Sequence, residues 1–175
     1  MSKEKLVKPI HLACSDDEMR PLLACVNIKN GYAIATNGHM IVKQLLKSTS
    51  LLNDDQIKKL EGKFIHRNVW AELVDCYELL VENDTIVCRN EAGKVIFEFA
   101  QHAMLFPDVE TVLDKYSVNP TNQIGLNPKY IGTLSKIFDS TQLKFQFDSH
   151  KAALITNMQT ENHIEMAYLM ALSID

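Results

Sequence analysis

The sequence has few of the residues that usually punctuate a chain, with 6 glycines and 5 prolines among 175 residues. It holds no Gly/Ser linker and no low-complexity segment, so its turns fall mostly to Asn and Asp. No apolar run approaches the roughly 20 residues that a bilayer-spanning helix needs. The opening MSKEKLVKPIHLACSDDE has no apolar stretch of signal-peptide length. These two absences lead to the expectation of a cytoplasmic protein with no membrane partner. Only 4 cysteines occur, at Cys14, Cys25, Cys76 and Cys88. None forms a C-x-x-C pair and no histidine stands at zinc-finger spacing, so buried reduced thiols are expected and no metal. Paired carboxylates and a phosphate-binding glycine loop are also missing. GKFIH and AGKVI contain Gly-Lys without the earlier glycine or the following Ser/Thr. The expectation is a protein that is not an enzyme and takes no cofactor.

What is present is ordinary for a globular chain: 46% hydrophobic and 23% charged residues, in a length that can bury a real core. Net charge is −4 and the pI about 5.9. A protein that grips nucleic acid with its whole surface is usually basic, so that class is disfavoured. A basic stripe on one face stays open, because net charge says little about a single surface.

Three similar units follow one another, each a short helix and then two or three strands. In the first, about 3–48, KEKLVKPIHLACS reads as a helix that Pro9 must start or kink. CVNIKNGYAIAT reads as a hairpin around Asn-Gly, and HMIVKQL as a further strand after Asn37-Gly38. In the second, about 53–106, NDDQIKKLEG is a short capped turn or helix. KFIHRNVWAELVDC follows as a strand and an amphipathic helix with Val69, Trp70, Leu73 and Val74 on one side. A meander of YELLVEN, TIVCRN and KVIFEFA follows, turning at Asn83-Asp84 and at Glu91-Ala92-Gly93. In the third, about 122–175, QIGL is a strand. NPKYIGTLSKIF is a helix capped by Asn127 with Pro128 at its first position. QLKFQFD, KAALITNM and IEMAYLMAL are three strands. The segment MLFPDVETVLDKYSVNP connects the second and third units. Meanders are antiparallel, so the pattern predicts an α+β fold of repeated helix-plus-meander units. Antiparallel sheet should continue across units, with the helices near 69–75 and 128–138 on one side of it.

Several segments resemble the bacterial DNA polymerase sliding clamp, the β subunit of DNA polymerase III. They are SDDEMRPLLACV followed by IATNGHMIV, then LFPDVETVL, IGLNPKYIGTLSKIF and YLMAL, in the order in which that family carries comparable motifs. Asn37, Met40 and Ala171 depart from the family's usual Asp, Arg and Pro. The resemblance implies a DNA clamp-like fold with helices on one face of a curved sheet, in a shortened form. Residues 1–115 would match the second clamp domain and 116–175 the latter half of the third. It implies a DNA-replication and processivity role, with double-stranded DNA and replication proteins carrying a clamp-binding peptide as partners, and a homo-oligomer as an assembly. The alternative is a clamp-fold interaction or competitor protein that keeps the peptide pocket without encircling DNA. The number of units expected per chain favours a monomer or dimer over a closed ring.

Position by position, the resemblance implies a peptide-binding wall of Leu23, Thr36, Gly38, His39, Met40, Ile41, Pro107, Val112, Tyr168 and Met170. Each apolar member can equally be core. His39 has three readings: a catalytic base, a turn residue with no further role, or a pocket wall. The resemblance favours the pocket wall. The turn would set Thr36, His39 and Met40 at the pocket rim. DNA-facing positions would be Lys3, Lys5 and Lys8 on a first helix, Arg67 near the second, and Lys129 and Lys136 on the third. Lys129, Thr133 and Lys136 fall on one helical face. A solvated face is the plain alternative for all of these cations.

Overall fold

The computed structural model describes residues 5–17, 19–82, 85–100, 106–118, 123–148 and 151–172. Lys3 and the Asn83-Asp84 turn lie outside the described residues. The first hairpin joins β1 (Cys25–Lys29) to β2 (Tyr32–Thr36). Its turn residues Asn30 and Gly31 both have positive φ, 54° and 75°, as a two-residue hairpin loop requires. A second turn leads into β3 (Met40–Leu45). Two short helices follow, α1 (Leu46–Thr49) and α2 (Asp54–Leu60). The second opens on a capping box in which Asn53 and Gln56 satisfy each other's backbone N–H. Then come β4 (Phe64–His66), α3 (Arg67–Val74), and the meander β5 (Glu78–Val81), β6 (Thr85–Asn90) and β7 (Gly93–Glu98). The connector holds α4 (Val109–Asp114). The last unit is α5 (Pro128–Phe138), β8 (Leu143–Asp148), β9 (Ala152–Asn157) and β10 (Glu165–Met170).

All strand pairing is antiparallel. A seven-stranded sheet runs β4-β1-β2-β3-β10-β9-β8, and β5-β6-β7 form a second sheet. The larger sheet therefore crosses from the first unit to the third through the β3–β10 seam, as expected of a sheet that continues across units. Strand alternation divides its two faces. Val26, Ile28, Ala33, Ala35, Met40, Val42, Ala153, Ile155, Ala167 and Leu169 point into one core with Trp70, Leu73, Leu134, Ile137 and Phe138. Both α3 and α5 pack on this side, against a 3-10 turn at Ile10–Ala13.

Three local readings are corrected. The segment around Pro9 is not an α-helix. Proline removes a donor, the chain takes only the 3-10 turn, and Ile10 drops fully into the core. Among the described residues QIGL forms an isolated bridge, Gly125 to Leu172, rather than a strand. The connector carries α4 on the face opposite α3 and α5, where Asp108 caps it by accepting from Thr111 N.

A buried polar cluster pins the third unit to the first. The Glu165 side chain is fully buried on the core face of β10. It accepts from Lys8 Nζ at 2.8 Å, Gln44 Nε2 at 2.8 Å and Asn157 Nδ2 at 2.7 Å. Lys8 also donates to the Phe138 carbonyl at 2.9 Å, and Gln44 to that of Ile137 at 3.3 Å. These carbonyls close the C-terminus of α5, where the helix dipole favours cations and donors.

A candidate binding surface along the β3–β10 seam

The turn between β2 and β3 consumes its own polar groups. Asn37 Oδ1 accepts from both His39 N and Met40 N at 2.9 Å, and Thr36 Oγ1 accepts from Gly38 N at 3.1 Å. An amide oxygen accepts here as a carboxylate would, so Asn37 serves in place of Asp. Gly38 has φ +89°, and an added Cβ would stand 3.6 Å from Arg20 Nη1. The result fixes β3 beside β10, where Met170 N donates to the His39 carbonyl at 3.0 Å.

On the face away from the core, five strands line up side chains in one row. Thr36 lies opposite Ile41, Ile41 opposite Tyr168, Tyr168 opposite Leu154, and Leu154 opposite Gln146. Tyr116, just past α4, meets the Tyr168 ring edge-on at 5.5 Å. Its burial and that of Tyr168 push both phenols above their ordinary pKa. The α4 helix is tied down by Lys43 Nζ to Glu110 Oε1 at 2.8 Å, with the Lys43 ammonium also 4.4 Å over the Tyr32 ring. Beside this row Val112, Met170 and Leu172 are exposed, the last two about half. Tyr168, Met170 and Leu172 alternate onto the same face, an apolar ladder along and past β10.

The expected pocket residues are thus divided. Ile41, Tyr168 and Met170 come together on this face, with Val112 on α4 above it. Pro107 lies at the other side of α4, in a cleft of about 400 Å³ with Phe64, Phe106, Asn27, Lys29 and Ile34. Leu23 is half-buried in a 3-10 turn whose carbonyl accepts from Ser15 N at 2.7 Å. Three members are corrected: Met40 alternates inward and is buried in the core rather than at a rim, the buried Thr36 hydroxyl is committed to the turn, and the His39 ring lies on the helix side against Tyr130. The row partners Leu154 and Tyr116 were missed, since neither lies in a segment that resembles a clamp motif. Their apolar alternation and flanking position were the available signal.

His39 points its ring to the other side of the sheet. It stacks on Tyr130 of α5 at 6.3 Å and lines a polar cleft of about 470 Å³. Arg20, Arg67, Lys129 and Thr133 share that cleft with Asp16 and Asp17. Arg20 is paired with Asp17 at 3.5 Å. Its charges are mixed, three cations against two carboxylates. Of the other cations expected to face DNA, Lys5 and Lys136 are exposed, but Lys8 is corrected: its ammonium turns inward onto Glu165. Among the described residues no cluster of three or more His, Cys, Asp or Glu is arranged to hold a metal, and no helix is long and apolar enough to cross a membrane.

No protein-family model and no curated protein sequence matches the chain. Solved structures do. The DNA polymerase sliding clamp of Bacillus subtilis superposes with a TM-score of 0.67 at 10% identity, covering 99% of this chain and 65% of that one. The DNA polymerase III beta chain of Streptococcus pneumoniae gives 0.68 at 15% identity, covering 99% and 66%. The beta subunit of Borrelia burgdorferi, solved with a natural product, gives 0.65 at 11% identity, covering 95% and 61%. The chain spans about two thirds of the length of these proteins. Nearly all of it is accounted for by their architecture, and it has the fold of the bacterial DNA polymerase sliding clamp in a shorter chain.

Proposed function

We propose that this protein is a non-enzymatic, clamp-fold interaction module of DNA replication that captures a short apolar peptide of a polymerase-type partner along the β3–β10 seam. The observation that carries the reading is the apposition of Ile41 and Tyr168, residues far apart in sequence, beside the exposed Met170 and Leu172. In this reading residues 1–115 act as one clamp domain and 116–175 as part of the next, with the site between them. A strip of exposed apolar side chains bordered by a few polar groups offers a short apolar peptide a surface to bury against. Burying two or three side chains contributes roughly 1.5–3 kcal/mol each before ordering costs, so affinity is on the order of micromolar. Peptide capture is favoured over encircling DNA, because Lys8 is spent internally and the cleft holding Arg67 and Lys129 also holds Asp16 and Asp17.

Calorimetric titration with a clamp-binding peptide tests this. Binding should be lost in Met170→Glu and kept in His39→Ala, whose ring faces the opposite side. No binding to the parent, or equal binding by parent and Met170→Glu, refutes the site. A parallel titration with duplex DNA separates the rival. Tight, steeply salt-dependent binding that falls when Lys129 is changed to Glu would establish a phosphate-contacting surface instead.

A further inference from the structure

The second sheet has an edge that matches itself. Its β5 side is blunted: the Leu79 carbonyl accepts from the Gln56 side chain of α2. Among the described residues no strand or side chain pairs with the outer side of β7. The ladder's phase says which β7 groups are open. Glu82 and Thr85 exchange both backbone bonds, at 3.0 and 3.4 Å, which turns Thr85, Val87 and Arg89 toward β5. Ile86, Cys88 and Asn90 therefore face β7, and bond Phe97, Val95 and Gly93. The N–H and C=O groups of Lys94, Ile96 and Glu98 are left pointing outward, and the open stretch ends there, because Ala100 N donates to the Phe64 carbonyl of β4 at 2.9 Å.

Those three residues are symmetric about Ile96 in the one way that matters: a cation two positions before it and an anion two positions after. Their side chains share the sheet's outward face, where Leu80, Val87 and Ile96 stand in a single row across three strands. Leu80 is 52% and Ile96 59% exposed. We propose that β7 pairs antiparallel with β7 of a second copy of this chain, about a two-fold axis at Ile96. In that register Ile96 meets Ile96, Lys94 meets Glu98 twice, and Val95 meets Phe97 on the core face. All three outward-facing residues find backbone partners at once. The apolar row then runs unbroken across six strands. The β8 edge of the larger sheet, which pairs with no further strand among the described residues, offers no such gain, because its apolar residues Leu143, Phe145 and Phe147 already pack on the core. An unguarded edge with an exposed apolar side chain is a template for pairing. The contact is small, below the roughly 1,200 Å² of standard interfaces, so the dimer is a weak one.

The test is sedimentation equilibrium over a wide concentration range, with circular dichroism confirming the fold of each variant. The parent should show a reversible monomer–dimer equilibrium. Lys94→Glu places Glu opposite Glu98 at two symmetric positions, and Glu98→Lys places Lys opposite Lys94. Each single change should weaken dimerisation roughly tenfold or more. The Lys94→Glu, Glu98→Lys double variant restores both opposite-charge pairs and should return the parent's constant to within about threefold. Lys144→Glu on β8 should change nothing. A parent that stays monomeric throughout, singles that dimerise like the parent, or a double no better than the singles would each overturn the proposal.

Discussion

Removing Glu165 should cost the fold about 3 kcal/mol, and the figure follows from what its partners keep. Taking away one member of a buried ion pair typically costs about 3–5 kcal/mol, because the other charge is left uncompensated. Here the stranded charge is Lys8, whose side chain remains 26% exposed and can regain some water. Lys8 and Gln44 also retain the carbonyls of Phe138 and Ile137 as acceptors. Both arguments put Glu165→Ala at the low end of that range. Lys8→Met should be at least as damaging, since it leaves a fully buried carboxylate with only two amide donors. The Lys8→Met, Glu165→Ala double variant removes both charges together, so it should be less destabilised than the two singles summed.

Urea unfolding measures all four states. The chain's one tryptophan, Trp70, is 1% exposed and donates to the Lys8 carbonyl at 2.9 Å, so its fluorescence reports on this region directly. With a slope of about 2 kcal/mol per molar urea, the Glu165→Ala midpoint should fall by about 1.5 M. A shift below about 0.5 M, or single-variant losses that simply add in the double, would show that the cluster is not a coupled unit.

Acidification should destabilise the protein through His11, whose pKa is lowered from 6.5 by burial first and by Arg67 second. Above that pH both folded and unfolded chains carry a neutral ring. Below it the unfolded chain binds a proton sooner, so stability falls as pH drops through 6.5, and His11→Gln should flatten that part of the pH–stability curve. The thiols should resist alkylation in the native state at pH 8 and react on unfolding, followed by mass spectrometry. Burial pushes Cys14 and Cys76 up to about 12 and Cys25 up to about 11, and all four are buried. Gly38→Ala should cost about 1 kcal/mol in the same urea assay, because φ +89° strains any residue with a Cβ. Full stability in that variant would mean the turn relaxes freely.

Where local chemistry decides structure, the sequence was legible. Asn30-Gly31 turns the hairpin, Asn127-Pro128 starts α5, and the alternation of the meander gives β5, β6 and β7. It was less legible where tertiary context overrides propensity. The run before Ile10 has apolar spacing a helix could use, but Pro9 and the chance to bury Ile10 outweigh it. Lys8 reads as one of a cluster of surface cations, and only folding reveals an acid 157 positions away that receives it. Met40 and Ile41 are neighbours on a strand, so they cannot both line one surface. A resemblance that transfers whole motifs carries both across, whereas alternation admits only Ile41 to the outer face. Val112 was placed by its motif, but the helix that carries it over the sheet was not foreseen.

The same alternation bears on the histidine in the Asn37-Gly38 turn. Its backbone belongs to the β3–β10 seam, through the bond from Met170 N to its carbonyl. Its ring belongs to the helix side, against Tyr130 and near Lys129 and Arg67. A turn at the end of a sheet is one of the few places where one residue can reach both faces. Holding it there takes a positive-φ glycine and two side chains, Thr36 and Asn37, spent entirely on the turn's own N–H groups. With its ring placed on the cleft side, His39 cannot act on a peptide lying along Tyr168 and Met170 except through its carbonyl. Substituting the ring therefore perturbs the cleft and leaves the seam's backbone intact. A change at Met170 does the reverse, and the two substitutions separate the two faces of the sheet.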